Sequence, residues 1–117
     1  MCINYFCEVN KMENKWKDIR EMIDYSNGGI TSKVIEKDNI GDVTLFNMSK
    51  ETEISEHTST KAGYIYVVEG DGIFNLEGEE IHMKSGVMIF MAANAKHSLS
   101  ARENTTFVLI LINETKS

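Results

Sequence analysis

Two side chains in this 117-residue chain have the chemistry expected of a site. His57 lies in the polar stretch Glu53-Ile54-Ser55-Glu56-His57-Thr58-Ser59-Thr60. His97 lies in Ala92-Ala93-Asn94-Ala95-Lys96-His97-Ser98. An imidazole titrates near neutral pH, so a pair can orient a ligand, pass a proton or donate to a metal ion. Each alone has an ordinary structural explanation, His57 as a solvated residue after Glu56 and His97 as a residue bonded to backbone after the turn at Asn94. His82 alternates onto a polar face with Lys84 and reads as surface. Cys2 and Cys7, the only cysteines, have no further thiol or imidazole close by and read as two reduced thiols. The seven methionines read as core filler.

The elements that must bring the histidines together are strands. From Gly29 onward the apolar residues recur with period 2 instead of 3.6. The pattern predicts strands over 30–36, 42–48, 53–57, 63–69, 72–77, 80–84, 87–91, 97–102 and 105–112, with Gly- or Asn-bearing turns between them. About nine short strands with no βαβ alternation and no internal repeat read as an all-β sandwich or barrel. Residues 87–91 form a continuous apolar run of the kind buried on both faces. Residues 107–112 are also apolar throughout; one face can fill the core and the other needs a second sheet or a second subunit over it. A homodimer is therefore expected. Residues 13–25 are the helix candidate, with Trp16, Ile19 and Ile23 at i, i+3 and i+7, Met22 alongside, and a stop at Ser26-Asn27-Gly28-Gly29. Residues 1–12 read as a flexible extension, with Met12 an alternative start, and residues 13–117 as one domain.

Net charge is −6, from 12 basic and 18 acidic residues, and the basic ones are scattered. Phosphate binding needs a concentrated basic surface, so nucleic acid is not an expected partner. No apolar run approaches the roughly 20 residues that span a bilayer. The N-terminus lacks the basic start and long apolar core of a signal peptide. The expected setting is cytoplasmic, with no membrane partner.

Two stretches resemble the paired short motifs of the cupin superfamily, which are small double-stranded β-helix (jelly-roll) proteins. Tyr66-Val67-Val68-Glu69-Gly70 is similar to the strand end of the first motif. Counting back, His57 falls on that motif's first histidine, Ser59 on its second histidine and Gly63 on its Glu or Gln. In the second motif Gly86 matches the opening glycine, Ala92 and Lys96 replace prolines, Asn94 stands at the turn glycine, and His97 matches the histidine. The resemblance implies an all-β jelly-roll barrel, to which the stripe over residues 13–25 adds one N-terminal helix, and a hairpin turn at Glu69-Gly70-Asp71-Gly72.

The resemblance also implies a site on the barrel axis. In metal-bearing cupins two histidines, an acid or amide and a third histidine hold one divalent ion; here His57 and His97 remain, and Ser59 and Gly63 replace the others. Catalytic metals usually have at least three protein ligands, so two imidazoles alone bind a divalent ion weakly. Glu56 adjoins His57 and alternates to the opposite face. Glu53 shares the parity of Ser55 and His57 but lies about 13 Å away along an extended strand. Met48 or Met91 would suit only a soft ion such as copper(I). No cofactor is firmly expected. With Gly63 at a ligand position, Gly63, Ile65 and Val67 face inward. Ile65, Val67, Phe74 or Leu76, Met88 or Ile89, and Met91 then form an apolar cavity with His57 and His97 as its polar groups. The expected ligand-binding residues are His57, His97, Ser59, Gly63, Ile65 and Met91. The expected function is binding of a small apolar or carbohydrate-like molecule. The alternatives are a metal-dependent or acid–base enzyme of the isomerase, lyase or dioxygenase class, and an interaction module.

Overall fold

Alternating apolar residues dictate two faces for each strand, and the strands bury their inner faces against one another. The computed structural model describes residues 14–114. The strands are β1 (Ile30–Lys37), β2 (Gly41–Met48), β3 (Glu53–His57), β4 (Gly63–Glu69), β5 (Gly72–Leu76), β6 (Glu79–Met83), β7 (Met88–Met91), β8 (His97–Ala101) and β9 (Thr105–Ile112). They form a five-stranded sheet, β1-β2-β9-β4-β7, and a four-stranded sheet, β3-β8-β5-β6, with every pairing antiparallel. Only the β1–β2 and β5–β6 connections are hairpins within a sheet; the other connections carry the chain across to the opposite sheet. The result is the double-stranded β-helix, or jelly roll. Cys2, Cys7 and Met12 lie outside the described residues.

The main core lies between the sheets, with Met48, Ile65, Val67, Phe74, Met83, Ile89, Met91 and Phe107 buried in it. A second, smaller core covers the outer face of the five-stranded sheet. There Leu45, Val68 and Val108 are packed under Ile19, Met22 and Ile23. The chain's own N-terminal segment thus supplies part of the cover that the apolar β9 strand requires.

That segment is not the helix expected over 13–25. Among the described residues it forms one 3₁₀ turn, Ile19–Met22, with Asp18 accepting from the Arg20 N–H at 3.0 Å. An isolated helix of this length is marginal in water, and contacts with the sheet decide the outcome. Trp16, the first residue of the supposed apolar stripe, is 86% exposed. The Met22 carbonyl accepts from Asn47 Nδ2 and Lys33 Nζ, both at 3.2 Å. Two further expectations need correction. Residues 87–91 are not buried on both faces: Ile89 and Met91 are, but Met88 is 58% and Phe90 56% exposed, because β7 is the sheet edge that the N-terminal segment does not reach. Glu69-Gly70-Asp71-Gly72 is a corner joining the two sheets, not a hairpin. Gly70 there has φ +130°, and a Cβ would sit 2.5 Å from the Thr105 Cα.

A polar chain anchors the segment. The Tyr25 hydroxyl donates to Glu69 Oε2 at 3.0 Å and lies 2.5 Å from Thr106 Oγ1. Thr106 donates to the buried Asn47 Oδ1 at 2.7 Å. Burial, and then the Glu69 carboxylate, push the Tyr25 pKa up to about 12, so the hydroxyl keeps its hydrogen well into the alkaline range. Tyr25→Phe removes this link and is expected to lower unfolding stability by about 1–2 kcal/mol in urea titrations. An unchanged midpoint would show that the anchor contributes nothing.

Candidate functional site

The local event that builds the site is a bulge in β3. Glu53 pairs with Ser100 and Ile54 with Leu99, but His57 pairs with His97, so Ser55 and Glu56 together oppose Ser98. One surplus residue reverses the alternation. Regular pleating would send His57 to the outer face with Glu53 and Ser55. The bulge instead puts Ile54 and His57 on the same inner face, and both line one cavity. Ser55 and Glu56 line a polar groove outside, with Glu53, Asn75, Glu80 and Ser98. That groove is the larger concavity, about 340 Å³, but it holds neither His57 nor His97.

The histidines meet across the β3–β8 pair. Their ring centroids are 4.1 Å apart, with the planes tilted by 60°. His97 is only 5% exposed and lies parallel to Phe74, centroid to centroid 5.8 Å. His57 is exposed at the mouth. Each ring is fixed by the backbone: His57 Nδ1 lies 2.8 Å from the Ser55 carbonyl, and His97 Nδ1 lies 3.0 Å from the Ala95 carbonyl. Asn94 adopts the left-handed φ of +67° that asparagine tolerates, in the turn before β8. Its N–H donates to the Ser59 carbonyl at 2.6 Å, so the turn before His97 is tied to the loop after His57.

The cavity is about 240 Å³ and is lined by Phe46, Ile54, His57, Ser59, Ile65, Phe74, Met91, His97, Leu99, Phe107, Leu109 and Leu111. Five of the six expected ligand-binding residues therefore come together: His57, His97, Ser59, Ile65 and Met91. Gly63 does not join them. It is buried against β9, where a Cβ would lie 2.9 Å from Leu111 Cδ2 and 2.9 Å from the Ile110 carbonyl oxygen. Among the other apolar residues expected, Phe74 lines the cavity, Val67 and Ile89 pack in the core, and Met88 points outside. Sequence reasoning missed Ile54, which shares the inner face with His57 only because of the bulge between them. It also missed Phe107, Leu109 and Leu111, whose period-2 spacing in β9 was the available signal.

Do these residues fit the divalent metal that the motif resemblance implies? The two imidazoles do. Ser59 offers a neutral hydroxyl that already accepts from the Lys61 N–H at 3.2 Å. Gly63 offers nothing, and the space beside it is filled by Leu111. Among the described residues, no three His, Cys, Asp or Glu side chains are grouped to hold an ion. The donor set does not fit a firmly held divalent ion.

Comparisons with known proteins agree with the fold. The model of the cupin domain family matches residues 44–113, more than half of the chain, and the protein belongs to that family. A conserved Streptococcus pyogenes protein of unknown function is 20% identical, with 92% of this chain and 94% of that one covered at TM-score 0.78. A cupin superfamily protein from Desulfitobacterium hafniense is 11% identical, covering 90% and 96% at TM-score 0.77. An RmlC-like cupin from Shewanella frigidimarina is 17% identical, covering 76% and 80% at TM-score 0.70. At these identities the likeness is one of fold. No curated protein sequence matches the chain.

Burial lowers the His97 pKa from its usual 6.5, and the adjacent His57 lowers it further, against the opposing pull of the Ala95 bond. Folding thus favours the neutral ring, and its sign for stability follows. The unfolded chain takes up the His97 proton near 6.5 and the folded protein only at lower pH. Stability is full above that value and falls as pH drops from it toward the lowered one. His97→Phe should flatten this limb of a plot of unfolding free energy against pH. An unchanged slope would remove His97 as its source.

Proposed function

We propose that this cupin barrel binds a small, largely apolar molecule between its sheets, oriented by His57 and His97, without a firmly held divalent metal. The observation that carries this reading is the cavity of about 240 Å³, whose wall is apolar except for two imidazoles and one hydroxyl. Apolar concavities with a few convergent polar groups are the usual sites for small molecules. A carbohydrate suits it less, because each hydroxyl left unpaired against such a wall costs roughly 1–3 kcal/mol. Protein purified without a histidine tag should contain well under one equivalent of metal by mass spectrometry; one tightly held equivalent overturns the metal-free part. A ligand-dependent rise in melting temperature should disappear in the double variant His57→Ala/His97→Ala. If it persists there, neither ring is the recognition element.

One observation favours an acid–base enzyme as the second reading. An exposed imidazole touches a buried one whose pKa burial lowers, so two groups of the kind that transfer protons adjoin the same cavity. Such an activity would survive chelation and vanish with either histidine.

The apolar strip on the outer face of β4 and β7, formed by Tyr64, Tyr66, Met88 and Phe90, supports a homodimer. Sedimentation at micromolar concentration should give a dimer for the native sequence and a monomer for Phe90→Lys. A native monomer removes this assembly.

A further inference from the structure

Both imidazoles spend the Nδ1 hydrogen on the backbone. The partners, the Ser55 and Ala95 carbonyls, only accept, so each ring when neutral carries its hydrogen on Nδ1 and presents a bare Nε2 lone pair. Neither Nε2 has a protein partner among the described residues, and no side-chain nitrogen or oxygen sealed from solvent lacks one. A lone pair from each ring therefore remains for whatever enters. The rings touch at 4.1 Å, yet two bare acceptors cannot bond each other. Each is open to a hydrogen brought from outside.

The rest of the wall restricts the carrier of that hydrogen. It holds no charged side chain other than what the histidines themselves can become. An anion would find no cation and, at Nε2, no hydrogen to accept. A plain hydrocarbon would strip water from both lone pairs and give nothing back. Phe46 and Phe107 are stacked at 5.1 Å with 8° between their planes, and they offer the cavity flat aromatic surfaces. A cavity of roughly 150 Å³ suffices for benzene. About 240 Å³ therefore has room for one substituted ring or two fused ones.

We infer that the cavity takes a hydroxylated aromatic molecule of one or two fused rings, with its O–H donated to the bare Nε2 of one of the two imidazoles, His57 or His97. The ring system lies against Phe46, Phe107 and Leu109. The inference rests on the small-molecule reading of the cavity and names the chemical class that this reading leaves open.

Naphthol, naphthalene and naphthoate test it by isothermal titration and by nitrogen NMR of the histidine rings on the native protein. Naphthol should bind at least tenfold tighter than naphthalene, the size of one hydrogen bond. It should move the Nε2 resonance of the accepting ring and leave the Nδ1 resonances nearly in place. Naphthoate should bind more weakly than either. Equal affinity for naphthol and naphthalene would overturn donor recognition and leave the small-molecule site standing. Tightest binding by naphthoate would overturn the class by showing that the rings act as cations. Failure of all three to bind would sink both the class and the site. Because the resonances are read on the native protein, the outcome does not depend on whether histidine variants fold.

Discussion

Between Ile54 and His57, β3 carries one residue more than the stretch of β8 it faces. Were β3 to keep that residue but pair regularly, Glu56 would stand opposite His97, and His57 would turn to the outer face. The bulge is stabilised by the side chain it redirects, since the Ser55 carbonyl within it takes the His57 Nδ1 hydrogen. The same bond selects the ring's tautomer. One local irregularity thus sets which residue faces inward, which nitrogen is bare and how closely the two imidazoles approach.

The rest of the barrel holds that pair in place. Phe74 backs His97 from β5, and the Asn94–Ser59 bond ties together the two loops that bear the histidines. On the far side of the five-stranded sheet, the N-terminal segment closes a second core over Leu45, Val68 and Val108. Its anchor is polar as well as apolar. Asn47 and Thr106, both buried on that face, are paired with Met22 and with Tyr25. Such groups would be costly if left without partners, so they fix the position of the segment as well as stabilise it.

Most of the strand framework was legible in the sequence, because period-2 alternation and Gly or Asn turns are local signals. The motif strand at Tyr66-Val67-Val68-Glu69-Gly70 and the turn leading to His97 pointed to the fold. The failures share one cause, which is that tertiary contacts decided the outcome. The residues 13–25 stripe has helical spacing, but Met22 gives its carbonyl to Asn47 and Lys33. The apolar run in β7 looked doubly buried because sequence does not reveal a strand's place in the sheet. The bulge left no residue-type signature at all. His57 was assigned to the site from the motif, while simple parity from Glu53 would have taken it elsewhere.

Gly63 and Leu111 face each other across β4 and β9, and their contact couples two positions 48 residues apart in the chain. A carboxylate cannot simply be put back at residue 63. Its first carbon would already be 2.9 Å from the Leu111 methyl and from the Ile110 carbonyl oxygen. Leu111 would have to swing aside, and the β9 backbone to yield at residue 110. A side chain at residue 63 without that movement overpacks the barrel wall. An acid at residue 63 therefore requires β9 to move as well as the substitution itself.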